Sequence, residues 1–203
     1  MRRERKQSYL VHNSISVIVL AFCTSLAGIQ VVPARPAEVV LLRHAEKPSN
    51  ESNVHLSARG KERALALIQF FTSTPALTTN GPPLALFAAR PASHGHSRRP
   101  QETLKPLAQH LKLPVLMPFT ATEYAGLAKK ILDDPAYDGK TVVVCWTHDY
   151  LPQLAESFGV KPKPGPWKSS VFDRVWVITF RDQQALLTSL PQNQFPVLRG
   201  HVP

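Results

Sequence analysis

Glu38-Val39-Val40-Leu41-Leu42-Arg43-His44 is the stretch on which the fold turns. Four consecutive branched apolar residues in so short a run read as a strand buried on both faces. Residues 141–147 (TVVVCWT) repeat the pattern and run into His148-Asp149. Outward from these two runs, strand and helix patterns alternate. Ser57 offers an N-cap for a helix over 57–71, with Ala64, Leu65, Leu67, Ile68 and Phe71 at helical spacing. Residues 84–89 and 115–119 read as strands, and 99–111 and 122–132 as helices. Pro100 suits a first helical turn, whereas Pro106 predicts a kink or break. Residues 151–158 read as a helix closed by Gly159, followed by a Pro-rich surface loop at 160–167 (VKPKPGPW). A strand pair over 171–180 and 185–190, around a polar turn, ends the ordered pattern. Strands separated by helices predict an α/β fold, a three-layer αβα sandwich with a mainly parallel central sheet.

The chain has 203 residues with 43% hydrophobic and 19% charged content, which excludes a disordered polymer and is enough for a core. Two cysteines exclude a disulfide scaffold, and Cys145 within an apolar run reads as a core residue. The net charge of +10 admits nucleic acid, an anionic membrane or an anionic small substrate. No zinc finger, helix-turn-helix or interleaving of basic and aromatic residues supports nucleic acid.

Arg2, Arg3, Arg5 and Lys6 precede an apolar run, ISVIVLAFCTSLA, at 15–27. A basic segment before an apolar run of this length resembles a secretory signal, with small residues at Ser25 and Ala27 before Gly28. A span shorter than about 20 residues crosses a bilayer poorly, so export is expected, with an uncleaved membrane anchor as the alternative. The expected organisation is a signal peptide or anchor at 1–27 and a linker at 28–37. The folded domain then occupies 38–190, with an irregular tail at 191–203.

In parallel sheets, sites gather beyond the carboxyl ends of strands. Arg43-His44 and His148-Asp149 each follow a buried run, so both pairs are expected at one sheet edge. Two histidines and an arginine there suit phosphoryl transfer. A neutral imidazole is a nucleophile, arginine forks hold phosphoryl oxygens, and an acid must protonate the leaving alkoxide.

Leu42-Arg43-His44-Ala45-Glu46-Lys47-Pro48 resembles the opening motif of the histidine phosphatase (phosphoglycerate mutase-like) superfamily, in the RHAEKP form of its small phosphatases. Leu56-Ser57-Ala58-Arg59-Gly60 with Ala64, then Arg99-Pro100-Gln101-Glu102-Thr103, then 142–146 with His148 resemble later motifs in the same order. The resemblance spans about 38–190. It implies a metal-independent phosphomonoester hydrolase with no cofactor, acting on a phosphorylated small molecule. His44 would become phosphohistidine, and Arg43, Arg99 and His148 would bind the phosphoryl group with His44. The general acid would be Asp149, as in the acid phosphatase branch, or Glu123, placed as in the mutase-like branch. A protein phosphohistidine phosphatase and a silent phosphate-binding protein are the alternatives.

The sequence departs from the family pattern in two places. Ala45 stands where the family has Gly, and the Ser-Pro before the second arginine is replaced by Arg90-Pro91-Ala92-Ser93-His94-Gly95-His96-Ser97-Arg98. His94 and His96 lack cysteine or acidic neighbours that would suggest a metal. Loops 49–55, 92–98 and 113–128 are expected to select the leaving group, and Lys161, Lys163 and Lys168 read as a solvated loop.

Overall fold

In the computed structural model, strand β1 (Glu38–Arg43) is buried along its whole length. The structure describes residues 35–50, 52–93, 97–182 and 184–192. Strand β4 (Thr141–Trp146) lies parallel to β1, in a register running from Glu38 opposite Thr141 to Arg43 opposite Trp146. Strand β2 (Ala85–Ala88) pairs parallel with the far side of β4, and the two-residue β3 (Val115–Leu116) pairs parallel with β2. Strand β5 (Arg174–Arg181) runs antiparallel to β1, and β6 (Gln184–Pro191) antiparallel to β5. The sheet order is β3-β2-β4-β1-β5-β6.

The pleat sends alternate residues of each central strand into two cores. Val39, Leu41, Phe87, Val142 and Val144 face one side, where helices α4 (Tyr124–Asp133) and α5 (Leu151–Ser157) add Leu127, Ile131, Leu151 and Leu154. Val40, Leu42, Leu86, Val143 and Cys145 face the other. There α1 (Ala58–Ser73), the short α2 (Pro75–Thr78) and α3 (Arg99–Leu111) add Leu67, Phe70, Phe71, Leu77, Leu104 and Leu107. Each such side chain, fully buried, contributes about 1.5–3 kcal/mol of transfer free energy. The result is the expected three-layer α/β sandwich with a mainly parallel sheet.

Several local expectations shift. Helix α3 runs unbroken through Pro106, because Leu104, Leu107 and Ala108 beside it are buried against the sheet. The strand expected over 115–119 ends at Leu116, and pairing resumes only as a bridge between Arg90 and Thr120. The helix expected from residue 122 begins at Tyr124, because the Glu123 carboxylate turns back to Thr120. The tail expected from residue 191 is anchored at its start. Pro191 closes β6, and the buried Gln192 accepts a hydrogen bond from Arg63 Nη1 at 3.1 Å. Residues 1–27, most of the 28–37 linker, His94, His96 and residues 193–203 lie outside the described residues. Among the described residues, no helix is long and apolar enough to cross a membrane.

The expected N-cap forms: the Ser57 side chain accepts from Gly60 N at 3.0 Å. The first turn of α1 is pressed against the segment that follows β1, where Ser57 N donates to Glu46 O at 3.0 Å. Arg63, one turn further, binds the Glu46 carboxylate through Nε at 2.9 Å and Nη2 at 2.6 Å. Gly60 permits that approach. A Cβ there would lie against the Glu46 carbonyl oxygen, well inside van der Waals contact, and 3.0 Å from its nitrogen. The obstacle is backbone and cannot rotate away. Gly60→Ala is therefore expected to lose about 1–3 kcal/mol of stability, despite alanine's better helix propensity. Urea unfolding checks it, and a more stable variant would contradict the close-approach account.

Candidate active site

Because β1 and β4 are parallel, their carboxyl ends emerge together. His44 N donates to Trp146 O at 3.0 Å and extends the ladder one step beyond Arg43. His148 leaves β4 two residues after Trp146. Arg99, in the first turn of α3, is brought over the same edge. Its Nε donates to His55 O at 3.1 Å, and its Nη2 donates to Asn53 O.

The hydroxyl of Thr103 holds these pieces in register. It accepts from Ala45 N at 2.9 Å and donates to Arg99 O at 2.7 Å. Thr103 is fully buried, so the bond fixes the turn after His44 to the helix that carries Arg99. The arginine-to-threonine spacing thus has a mechanical meaning.

His44 is 5% exposed. Its Nδ1 lies 2.8 Å from the Ala45 carbonyl oxygen, which can only accept, so Nδ1 carries the proton and Nε2 a free lone pair. Burial, ahead of the fields of Arg43, Arg99 and His148, pulls its pKa down from 6.5 to about 3, although the Ala45 bond opposes the shift. The imidazole is therefore neutral across the physiological range.

Arg43 is 4% exposed. Its Nη1 donates to the carbonyls of Ser169 and, at 3.2 Å, Val171, and its guanidinium lies 3.7 Å from the centroid of the Phe172 ring. Its buried Nε has no hydrogen-bond partner. Burial lowers its pKa to about 10, opposed by Asp149 and Glu46. A buried guanidinium held by neutral carbonyls, with a spare donor, is short of a counter-anion.

His148 is partly exposed, and its Nε2 lies 3.4 Å from Asp149 Oδ1. Burial first, then Arg43, lowers its pKa, while Asp149 raises it. Arg43, His44, Arg99 and His148 thus share one electrostatic neighbourhood, with Asp149 at its outer side. Arg98, beside Arg99 in the sequence, is exposed and lines a different groove on α3. Glu123 is engaged elsewhere. Its carboxylate accepts from Thr120 N and Oγ1, both at 2.7 Å, and lies 3.8 Å from Arg90 Nη2. Those hydrogen bonds hold its pKa below the usual carboxylate value, which disfavours the protonated form a general acid needs.

A cleft of about 500 Å³ opens beside this cluster, lined by His148 and Asp149 on one side and by Trp167, Lys168 and Ser169 on another. No protein-family model matches the sequence, and no curated protein does. Solved structures do match. One is an Escherichia coli protein provisionally assigned as an alpha-ribazole-5′-P phosphatase, at 14% identity and a TM-score of 0.53, over 77% of this chain and 97% of that one. Another is a Nakamurella multipartitia protein provisionally assigned as the phosphohistidine phosphatase SixA, at 16% identity and a TM-score of 0.49, over 79% and 99%. At 14% identity the first of these likenesses speaks for the fold alone. The fold is histidine phosphatase-like.

Within this histidine phosphatase-like fold, the sequence motifs did not point to the segment from Ser169 to Phe172, although it supplies Arg43's carbonyl partners and stacking ring. The contacts span more than 120 residues, and no local pattern encodes them. Two further supports have a trace in the sequence. Glu102, one residue before Thr103, pairs with His55 at 2.5 Å and accepts from Leu56 N at 2.9 Å, fixing the loop whose carbonyls hold Arg99. Ser57 and Gly60 carry the turn against Glu46.

A histidine buried neutral costs stability in acid. Between pH 6.5 and about 3 the unfolded chain protonates this imidazole and the folded protein does not. Unfolding therefore takes up a proton, and stability falls as pH drops through that window. In phosphate-free buffer, His44→Gln should lose less stability than the wild type between pH 7 and pH 4, by a few kcal/mol. Parallel pH slopes in urea unfolding would show that His44 titrates normally.

Proposed function

We propose that the protein is a phosphomonoester hydrolase that works through phosphohistidine at His44, on a phosphorylated small molecule, with no metal required by the residues involved. The observation that carries this reading is His44 itself: a buried imidazole, neutral at physiological pH, with its proton fixed on Nδ1 and its Nε2 lone pair free among cations.

In the proposed reaction, the phosphoryl group enters against Arg43 and Arg99. The unpartnered Arg43 Nε is ready to donate to a phosphoryl oxygen, and His148 adds a further donor. Nε2 of His44 attacks phosphorus as the bond to the leaving oxygen breaks. Charge spreads over the phosphoryl oxygens, where fixed guanidinium donors stabilise it most. Asp149 gives its proton to the leaving oxygen. A water molecule then attacks the phosphohistidine and passes its proton to the Asp149 carboxylate. Inorganic phosphate leaves, and both residues return to their starting forms. Asp149 is preferred to Glu123 because it lies beside His148 and borders the open cleft, whereas Glu123 is bound to Thr120.

Mixing the protein with a radiolabelled phosphate monoester and quenching in alkali should trap acid-labile label on the chain, absent in His44→Ala. Asp149→Asn should slow an alkyl phosphate by about 10²–10⁴-fold, and p-nitrophenyl phosphate far less, because p-nitrophenolate leaves without a proton. Equal slowing of both esters would remove Asp149 from the role, and label persisting in His44→Ala would overturn the mechanism.

The basic and apolar order of residues 1–27 supports export. The protein recovered from the exporting cell should begin at Gly28, as read by mass spectrometry. An intact N-terminus in the membrane fraction would favour the anchor instead.

A further inference from the structure

The Pro-rich loop at 160–167 reads from sequence as a solvated connection, but the structure uses it as a wall. Val160 and Trp167 at its ends are buried. The Trp167 indole donates to Val171 O at 2.9 Å, meets Trp176 edge-on at 4.7 Å, and lies 5.5 Å from the Arg174 guanidinium. Pro164 and Pro166 face the cleft from this loop, and Pro152 faces it from α5. Fixed proline backbones and an anchored indole make a rigid wall that loses little freedom when a ligand arrives.

The cleft and the phosphoryl site share parts. Ser169 lines the cleft while its carbonyl accepts from Arg43. His148 and Asp149 line the cleft from the other side. An acid acts only within hydrogen-bond reach of the oxygen it protonates, about 2.6–3.2 Å. With the phosphoryl group against the buried arginines, a leaving oxygen at Asp149 directs the rest of its molecule into this cleft. Its volume, about 500 Å³, falls within the usual range for small-molecule sites.

The chemistry of the walls says what fits. Prolines and Trp167 suit an apolar body. Gln153 also lines the cleft, and its buried Oε1 has no hydrogen-bond partner. Lys163 and Lys168 face the cleft opposite the single carboxylate of Asp149. Lys163 is only loosely engaged, 3.9 Å from Glu156. We propose that this cleft is the leaving-group subsite, and that the substrate is a phosphate monoester whose leaving group has an apolar body and a second anionic group that pairs with Lys163 and Lys168. This rests on the phosphatase reading above.

Two aryl esters of similar shape separate charge from fit: 4-carboxyphenyl phosphate, with an anionic leaving group, and 4-carbamoylphenyl phosphate, its neutral counterpart. The full chain should favour the carboxylate in kcat/KM by on the order of fivefold, as two exposed ion pairs allow. The preference should shrink as salt is raised. In the double variant Lys163→Gln, Lys168→Gln it should fall to about one. Equal turnover of the two esters by the wild type, or a preference that survives the double variant, overturns this proposal and leaves the phosphatase reading intact. Turnover of neither ester, with no label on His44, overturns both.

Discussion

The parallel pairing of β1 with β4 is the constraint from which the site follows. Its register sets Arg43 opposite Trp146, and the His44 N–H adds one more rung by donating to the Trp146 carbonyl. An antiparallel pairing would send the two histidine segments to opposite edges of the sheet. A slip of one residue would exchange the two cores along β1, because side chains alternate faces. Val39 and Leu41 would then face α1 and α3, and Val40 and Leu42 would face α4 and α5. Since apolar residues would fill both cores in either register, the position of the imidazole is fixed by the rungs at the strand's end, where the His44 N–H meets the Trp146 carbonyl.

The turn after β1 is held at three points, one from α3 and two from α1. Thr103 binds Ala45 from α3, Ser57 and Gly60 bring α1 against Glu46, and Arg63 binds the Glu46 carboxylate. Arg63 is in turn bonded to Gln192 just beyond β6. A nucleophile must keep its geometry to within fractions of an ångström. Here that rigidity comes from buried hydrogen bonds, whose partners cannot exchange with water without loss. Ala45 in place of glycine is compatible with this turn, since its side chain joins Leu56 and Ala64 in a small buried cluster.

Local pattern exposed much of this and missed what depends on distance. The apolar runs at 39–42 and 142–146 gave both central strands because strands buried on both faces have a strong composition signal. Ser57 gave the start of α1 because capping is a short-range interaction. Arg99 was legible through its spacing to Thr103, and the burial of both residues gives that spacing its meaning. Pro106 misled, because packing of its neighbours outweighs one lost backbone donor. Glu123 was attractive by position along the chain, yet its partner Thr120 is three residues away and captures the carboxylate. The loop around Trp167 looked solvated because proline and lysine dominate it. Its anchoring comes from the indole and from Arg43, which no window of neighbouring residues contains.

The electrostatic balance at His44 bears on whether the site can keep its nucleophile neutral while it holds a dianion. If the cations were the main cause of the lowered pKa, an incoming phosphoryl group would cancel their field and invite protonation of the imidazole. Burial is instead the largest cause, with Arg43, Arg99 and His148 behind it. A ligand filling the cleft displaces water from the exposed side of His148 and deepens the desolvation of its neighbour. The Ala45 carbonyl keeps the proton on Nδ1 throughout, because that bond lies within the turn and faces no ligand. The two influences of a bound substrate on Nε2 thus oppose one another. Arg43 and Arg99 can act on the phosphoryl oxygens because burial, ahead of their fields, keeps His44 neutral.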